Sequence, residues 1–344
     1  MTAPISAGMI GFGLAGAVFH AQLIRAIPGL RLTHVCTSRT AEAQQAGLAV
    51  AESADTMLAD PGIDLVVIAS PNHTHFPLAR AALMAGKHVV VDKPIAVTIE
   101  EADELIALAR TRQRLLTVFH NRRWDGDFLT LRHLIDEGQL GEIMLYEAWW
   151  DRFRPTIKQG WRETATPGGG LLNDLGPHLI DQAISLFGWP EAISADIAAQ
   201  RQGVCVDDYF ALTLYYGEKR VRLGASTLVA HPRPRFAAHG MRGSFIKHGL
   251  DPQEAQLRAG MPPTADGFGV DAPEHYGTLH SADGQAVVIP TETGRWVTFY
   301  EAVRDAIRSG APAPVDPADA RAGLALIELA RRSAREGRRL AADA

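Results

Sequence analysis

Cysteine, long apolar runs and surplus basic charge are all scarce in this chain. Only Cys36 and Cys205 occur among 344 residues, so there is no disulfide framework, and the count fits a reducing cytoplasm. Neither cysteine stands in a metal-ligand spacing, and no metal is expected. No apolar stretch approaches the ~20 residues that span a bilayer, and the first residues lack the charged and apolar regions of a secretory leader. Lys and Arg number 34 against 39 Asp and Glu, a formal net charge of −5. A nucleic-acid surface needs a basic excess, so neither nucleic acid nor membrane is expected as a partner. The basic cluster at 331–339 reads as the solvated face of a last helix.

What is present reads as an ordinary globular protein, 47% apolar and 21% charged. A chain of 344 residues exceeds what one core usually holds, which predicts two domains. Over 4–119, short apolar runs (5–10, 30–37, 65–69, 88–91, 115–119) alternate with segments of helical spacing (16–26, 41–50, 76–85, 99–110). That alternation predicts a parallel sheet covered on both faces. Thr98 and Glu101 carry a capping-box signal for the fourth helix. After His120, longer strand-like runs follow one another at 143–153, 192–201, 209–216, 220–228, 235–239 and 244–247, with a hairpin turn at 216–219. Helices are expected at 128–136, 177–187, 297–309 and 317–336, and loop over 259–284. The predicted fold is α/β. An N-terminal Rossmann domain, a doubly wound parallel sheet, fills 1–119. A C-terminal α+β domain with a mostly antiparallel open sheet fills 120–344. It serves substrate binding and oligomerisation, as a homodimer or higher homo-oligomer.

Gly11-Phe12-Gly13-Leu14-Ala15-Gly16 follows the first strand and opens the first helix. In that context the glycines allow a tight turn, close approach to a pyrophosphate, and helix–strand packing. The helix start then offers N–H groups to the phosphates. NAD would call for an acid about 20 residues on, to bond the ribose 2′-hydroxyl. The chain instead has Ser38 and Arg39 after the second strand, a hydroxyl and a guanidinium suited to a 2′-phosphate. NADP is therefore favoured and NAD remains open. Ser70, Pro71, Asn72 and His75 leave the fourth strand where a cofactor would run. The His73-x-His75 pair has no cysteine or carboxylate cluster near it to complete a metal site.

Lys93, in Asp92-Lys93-Pro94, sits at the end of a buried strand, where an ammonium serves a ligand better than it serves stability. Asp174 and His178 follow a glycine run four residues apart, on one face of a helix. Asp174 also suits the N-cap of that helix, with Pro177 in its first turn.

With these motifs the chain resembles the Gfo/Idh/MocA family of NAD(P)-dependent oxidoreductases over nearly its whole length. The resemblance rests on 11–16, on Asp92-Lys93-Pro94 where the family commonly has Glu-Lys-Pro, and on 170–178. Phe19-His20, 120–125, 151–155 and Tyr209-Phe210 resemble the branch with NADP-dependent scyllo-inositol dehydrogenase. The resemblance implies hydride transfer between a secondary alcohol of a cyclic polyol or sugar and NADP. It gives Lys93 to the substrate hydroxyl and the cofactor side, His178 to the hydroxyl proton and Asp174 to orienting it. Asn121, Arg123, Trp124 and Arg152 line the substrate side, and Trp161-Arg162 closes it. Arg123 and Arg152 also admit structural roles. Two rivals stand beside this reading: a non-catalytic NADP-binding sensor or regulator, which could lose Lys93, Asp174 and His178 freely, and a reductase of another small carbonyl.

Overall fold

A computed structural model of the chain describes residues 3–158 and 160–343. Its contacts form two compact units, neither continuous in sequence. The first is Met1–Trp124 with Gln253–Gly269 and Arg295–Arg321; the second is Asp125–Pro252 with Val270–Gly294 and Ala322–Ala344. The sequence predicts a single boundary at 119/120, whereas two later segments return to the first unit. The cause is core packing. Trp296, Phe299, Tyr300, Val303 and Val315 are all fully buried in the first unit's core, where Phe299 meets the Phe119 ring edge-on at 5.0 Å. An amphipathic stripe over 297–309 predicts a helix but does not say whose core it enters.

In the first unit, β1 (Ile5–Ile10), β2 (Leu30–Cys36), β3 (Ala49–Val50), β4 (Leu65–Ile68), β5 (His88–Val91) and β6 (Leu116–Val118) make one sheet. It is parallel throughout, in the order β3-β2-β1-β4-β5-β6. All of β4, and Val89, Val90 and Val91 of β5, are 0% exposed, as strands covered on both faces require. The strand order reverses between β1 and β4, so their carboxyl ends flank the place where such sheets take ligands. The capping box forms: Thr98 accepts from the Glu101 N–H, and Glu101 accepts back from the Thr98 N–H.

The second unit is built on nine strands: β7 (Ile143–Trp149), β8 (Ala192–Ala198), β9 (Tyr209–Tyr216), β10 (Lys219–Ser226), β11 (Phe236–Gly240), β12 (Gly243–Lys247), β13 (Gly277–Ser281), β14 (Ala286–Ile289) and β15 (Leu340–Ala341). Their order is β14-β13-β12-β11-β7-β10-β9-β8-β15, antiparallel except that β7 and β10 run parallel. Along β9, Phe210, Leu212 and Leu214 are buried while Tyr209, Ala211 and Thr213 are half-exposed, the period-two pattern of a sheet with one covered face. Leu172, Leu179, Ile180 and Ala183 of the helix Leu171–Phe187 are 0% exposed in the same core. Tyr216 pairs with Lys219 across the expected hairpin. The predicted 259–284 loop holds β13 instead. That strand and its hairpin partner β14 lie at the sheet edge with exposed residues, so they carry little apolar alternation to read. Among the described residues no helix is long and apolar enough to cross a membrane.

Candidate functional site

The glycine turn of the first unit shows why each glycine is there. Gly11 adopts φ +96°, and its N–H donates to the Cys36 carbonyl at 2.9 Å, joining the ends of β1 and β2. A Cβ on Gly11 would lie 2.5 Å from the Ala69 carbonyl oxygen, and one on Gly16 2.3 Å from that of Gly11; a Cβ on Gly13 would meet nothing within 4 Å. Two glycines thus close the turn against protein, and the third leaves a cradle that fits a pyrophosphate. Phe12 packs into the core at 5% exposed, whereas Leu14 is 41% exposed. The turn runs into a π-helix, Leu14–His20, an uncommon form that is frequent at functional sites.

Ser38 and Arg39 are exposed after β2. The Arg39 guanidinium pairs with Glu42 at 3.4 Å, both side chains more than half exposed. Beyond β4, Ser70 and Thr74 share a hydroxyl contact at 2.6 Å, Thr74 donates to the Pro71 carbonyl, and Asn72 is 5% exposed. The two histidines diverge. His73 is exposed, while His75 is buried with Nδ1 2.7 Å from the Pro94 carbonyl oxygen and Nε2 2.9 Å from that of Ser70. Among the described residues no three His, Cys, Asp or Glu side chains are placed to hold a metal.

Past β5, the Asp92 N–H donates to the Ile68 carbonyl at 2.8 Å, and Asp92 Oδ1 accepts the Lys93 N–H at 2.9 Å. The Lys93–Pro94 peptide bond is cis. Behind this turn, His20 is fully buried, its Nδ1 2.6 Å from the Tyr300 hydroxyl and its ring 4.3 Å from Phe119. Burial lowers the His20 pKa to about 4 against the pull of Asp92. Burial, then Asp92, raises the Tyr300 phenol well above its usual value. Both groups are therefore neutral near pH 7.

Residues 121–124 are held tightly within the first unit. Asn121 is 4% exposed. Arg123 pairs with Asp319 at 2.8 Å. The Trp124 ring stands edge-on to Phe299 at 5.8 Å, and its carbonyl accepts the Arg295 N–H. Arg123 and Trp124 thus have structural contacts whatever else they do.

In the second unit the helix begins at Leu171, six residues before the predicted 177, and its N-cap is Gly170 rather than Asp174. The cap is borrowed from Asp207, 35 residues beyond Leu172. Its carbonyl accepts from Leu171 N–H at 2.8 Å, and its Oδ2 from Leu172 N–H at 2.6 Å. A Cβ on Gly170 would lie 2.3 Å from that carboxylate. Pro177 consequently lies inside the helix. The spacing still puts Asp174 and His178 on one face. Asp174 sits between two guanidiniums: Oδ1 accepts from Arg162 Nε at 3.2 Å, and Oδ2 is 3.6 Å from Arg152 Nη1. Arg162 stacks over Trp161 at 4.5 Å. His178 is 7% exposed, its ring 5.8 Å from that of Trp150.

The loop before this helix is pinned by Arg201, whose side chain is 3% exposed. Arg201 bonds Glu163 at 2.6 Å and Asp208 at 2.8 Å, and reaches the carbonyls of Arg154 and Thr156. Burial works to raise the Asp208 pKa, but hydrogen bonds from Gln200 and Arg201 outweigh it and hold the carboxyl below its ordinary value. Sequence reading missed Arg201, Glu163, Asp207, Asp208, His20 and Tyr300 as supports. Only the Asp207-Asp208 doublet at the head of an apolar strand gave any local signal.

Comparison with known proteins adds the following. Residues 5–120 match the model of the NAD-binding Rossmann fold of an oxidoreductase family, and residues 132–341 match that family's C-terminal alpha/beta domain. The uncharacterised oxidoreductase YdgJ of Escherichia coli is 44% identical over 97% of this chain and 98% of its own. The NADP-dependent scyllo-inositol 2-dehydrogenase IolW of Bacillus subtilis is 40% identical over 97% of this chain and 95% of its own. The solved structure of the oxidoreductase YvaA from Bacillus subtilis superposes with a TM-score of 0.97 at 38% identity, covering 100% of this chain and 99% of that one.

Proposed function

The chain belongs to the Gfo/Idh/MocA family of oxidoreductases, and from that premise we propose that it oxidises a secondary alcohol of a cyclic polyol or sugar, or reduces the ketone, with NADP as partner. When bound, the nicotinamide supplies the hydride acceptor or donor. Lys93 hydrogen-bonds the reacting hydroxyl and eases its deprotonation. His178 receives the hydroxyl proton as the C–H bond gives up its hydride, leaving a ketone. Asp174, fixed by Arg152 and Arg162, orients that exchange. The preference for NADP is supported by Ser38 and Arg39, because no carboxylate stands at the end of β2. The half-exposed outer face of the nine-stranded sheet supports self-association as a homodimer. The low cysteine count supports work in the cytoplasm.

The observation that carries this reading is that the lysine, aspartate and histidine set is complete, with Asp174 and His178 on one helix face. The test is a panel of inositols and aldoses with NADP+, read by absorbance of the reduced cofactor. Lys93→Ala should cut turnover about 100-fold or more while NADPH binding survives. No turnover with any member of the panel would favour the two rivals, a sensor or a reductase of another carbonyl, and unchanged turnover in the variant would remove the lysine from the chemistry.

A further inference from the structure

We propose that His75 is a positioning residue that ties the Lys93 turn to the loop leaving β4, so that the lysine and the cofactor-side loop are held as one piece. The inference rests on the reading of Lys93 given under Proposed function, and it gives His75 a role other than the cofactor contact expected from sequence.

β4 and β5 are neighbours, paired from Leu65↔His88 to Ile68↔Val91. The ladder extends one step beyond, from Asp92 N–H to the Ile68 carbonyl. There the two chains part, one into residues 70–75 and the other into residues 92–95. The His75 ring bridges the gap, with Nδ1 at 2.7 Å from the Pro94 carbonyl oxygen and Nε2 at 2.9 Å from that of Ser70. It is 1% exposed, so water does not serve in its place. Both carbonyls are acceptors, and a neutral imidazole carries one N–H. The neutral ring therefore donates to one loop at a time, and the imidazolium donates to both.

The surroundings set that balance. Burial lowers the proton affinity of His75; the Pro94 and Ser70 carbonyls and Asp92 raise it, and Lys93 lowers it. His20, across the same cluster and bonded to Tyr300, is held neutral by its own burial. Asp92 and Lys93 thus both act on the His75 ring, and a change at His75 should be felt at the lysine amine.

Two variants test this. His75→Phe keeps the ring and removes both nitrogens; His75→Gln keeps one amide donor. With scyllo-inositol and NADP+, or the best polyol of the panel, His75→Phe should lower kcat by about tenfold or more, because a small misplacement of a catalytic group is enough for that. KM for NADP+ should stay within about threefold, and His75→Gln should recover part of the loss. A readout independent of turnover is the acylation rate of the Lys93 amine by acetic anhydride, followed by peptide mass spectrometry across pH. It should rise several-fold and shift its pH profile in His75→Phe.

A folded His75→Phe with wild-type kcat and Lys93 labelling would overturn the proposal. So would a loss of NADPH affinity as large as the loss of kcat, which would return His75 to the cofactor. Should His75→Phe not fold, His75→Gln decides: altered Lys93 labelling supports the tie, and unaltered labelling with wild-type kcat overturns it. If no polyol is turned over, or Lys93→Ala stays active, the catalytic reading fails while the labelling result still reports on the tie.

Discussion

In the first unit, the groups around Lys93 are held by backbone approach and buried neutral rings: Gly11 against Ala69, His20 against Tyr300, His75 between two carbonyls. In the second, Asp174 and the loop before its helix are held by charge, through Arg152, Arg162 and the Arg201 link to Glu163 and Asp208. Shape holds the first, so it should fail through added atoms or added protons. Ion pairs hold the second, so it should fail when one partner is removed.

Arg201→Met should give the largest effect. Asp208 is 1% exposed, and deleting one partner of a buried pair costs about 3–5 kcal/mol. Chemical denaturation followed by fluorescence measures it; a cost below about 1 kcal/mol would mean that the pair is no more than a surface bridge.

Gly11→Ala comes next, because the new methyl meets the Ala69 carbonyl and φ is +96°. It should cost about 1–3 kcal/mol and abolish measurable NADPH binding. Gly13→Ala sharpens the point. With open space around it, it should change stability by no more than about 0.5 kcal/mol yet still weaken NADPH, as seen by fluorescence titration.

Acid should separate the units. His20 and His88 both titrate at about 4 in the folded state, each depressed mainly by burial. Because the folded values lie below the ordinary value of about 6.5, the stability these neutral rings contribute is complete above it and is lost as pH falls from there toward 4. Asp208, held below its ordinary value, keeps its contribution until pH falls below about 4. Hydrogen exchange by mass spectrometry, stepped from pH 7 to 4, should therefore show protection falling first in β1, β5 and the 297–309 helix. Simultaneous loss in β9 and the 171–187 helix would erase the distinction. The smallest effect belongs to Arg39→Ala. Its exposed pair with Glu42 makes stability insensitive, while NADPH affinity should fall by roughly tenfold relative to NADH.

The same contrast explains what could be read from sequence. Gly11 to Gly16, Asp92-Lys93-Pro94 and the Asp174–His178 spacing are each complete within a few residues, so the glycine turn and the shared helix of Asp174 and His178 were legible. The alternation of strands and helices gave both sheets except the short edges, β3, β13, β14 and β15. The supports were not legible. His75 looked like half of a His-x-His pair, but what it meets are two carbonyls, and a backbone acceptor leaves no mark on the sequence. Asp174 looked like a cap because the real cap, Asp207, lies 35 residues from the N–H it accepts. Arg201, Glu163 and Asp208 form one group only once β8 and β9 are paired.

The discontinuity of the two units bears on how the chain is made. The first core is closed by Trp296, Phe299, Tyr300, Val303 and Val315, the second by Leu326, Ile327 and Ala330. A ribosome therefore finishes neither unit early. Residues 4–119 emerge with a sheet whose aromatic cover is still untranslated, and neither core is complete until the stretch from Trp296 to Ala330 has been added. A message cut short before that stretch yields no half-enzyme, only chain with apolar surface for chaperones and proteases to sort.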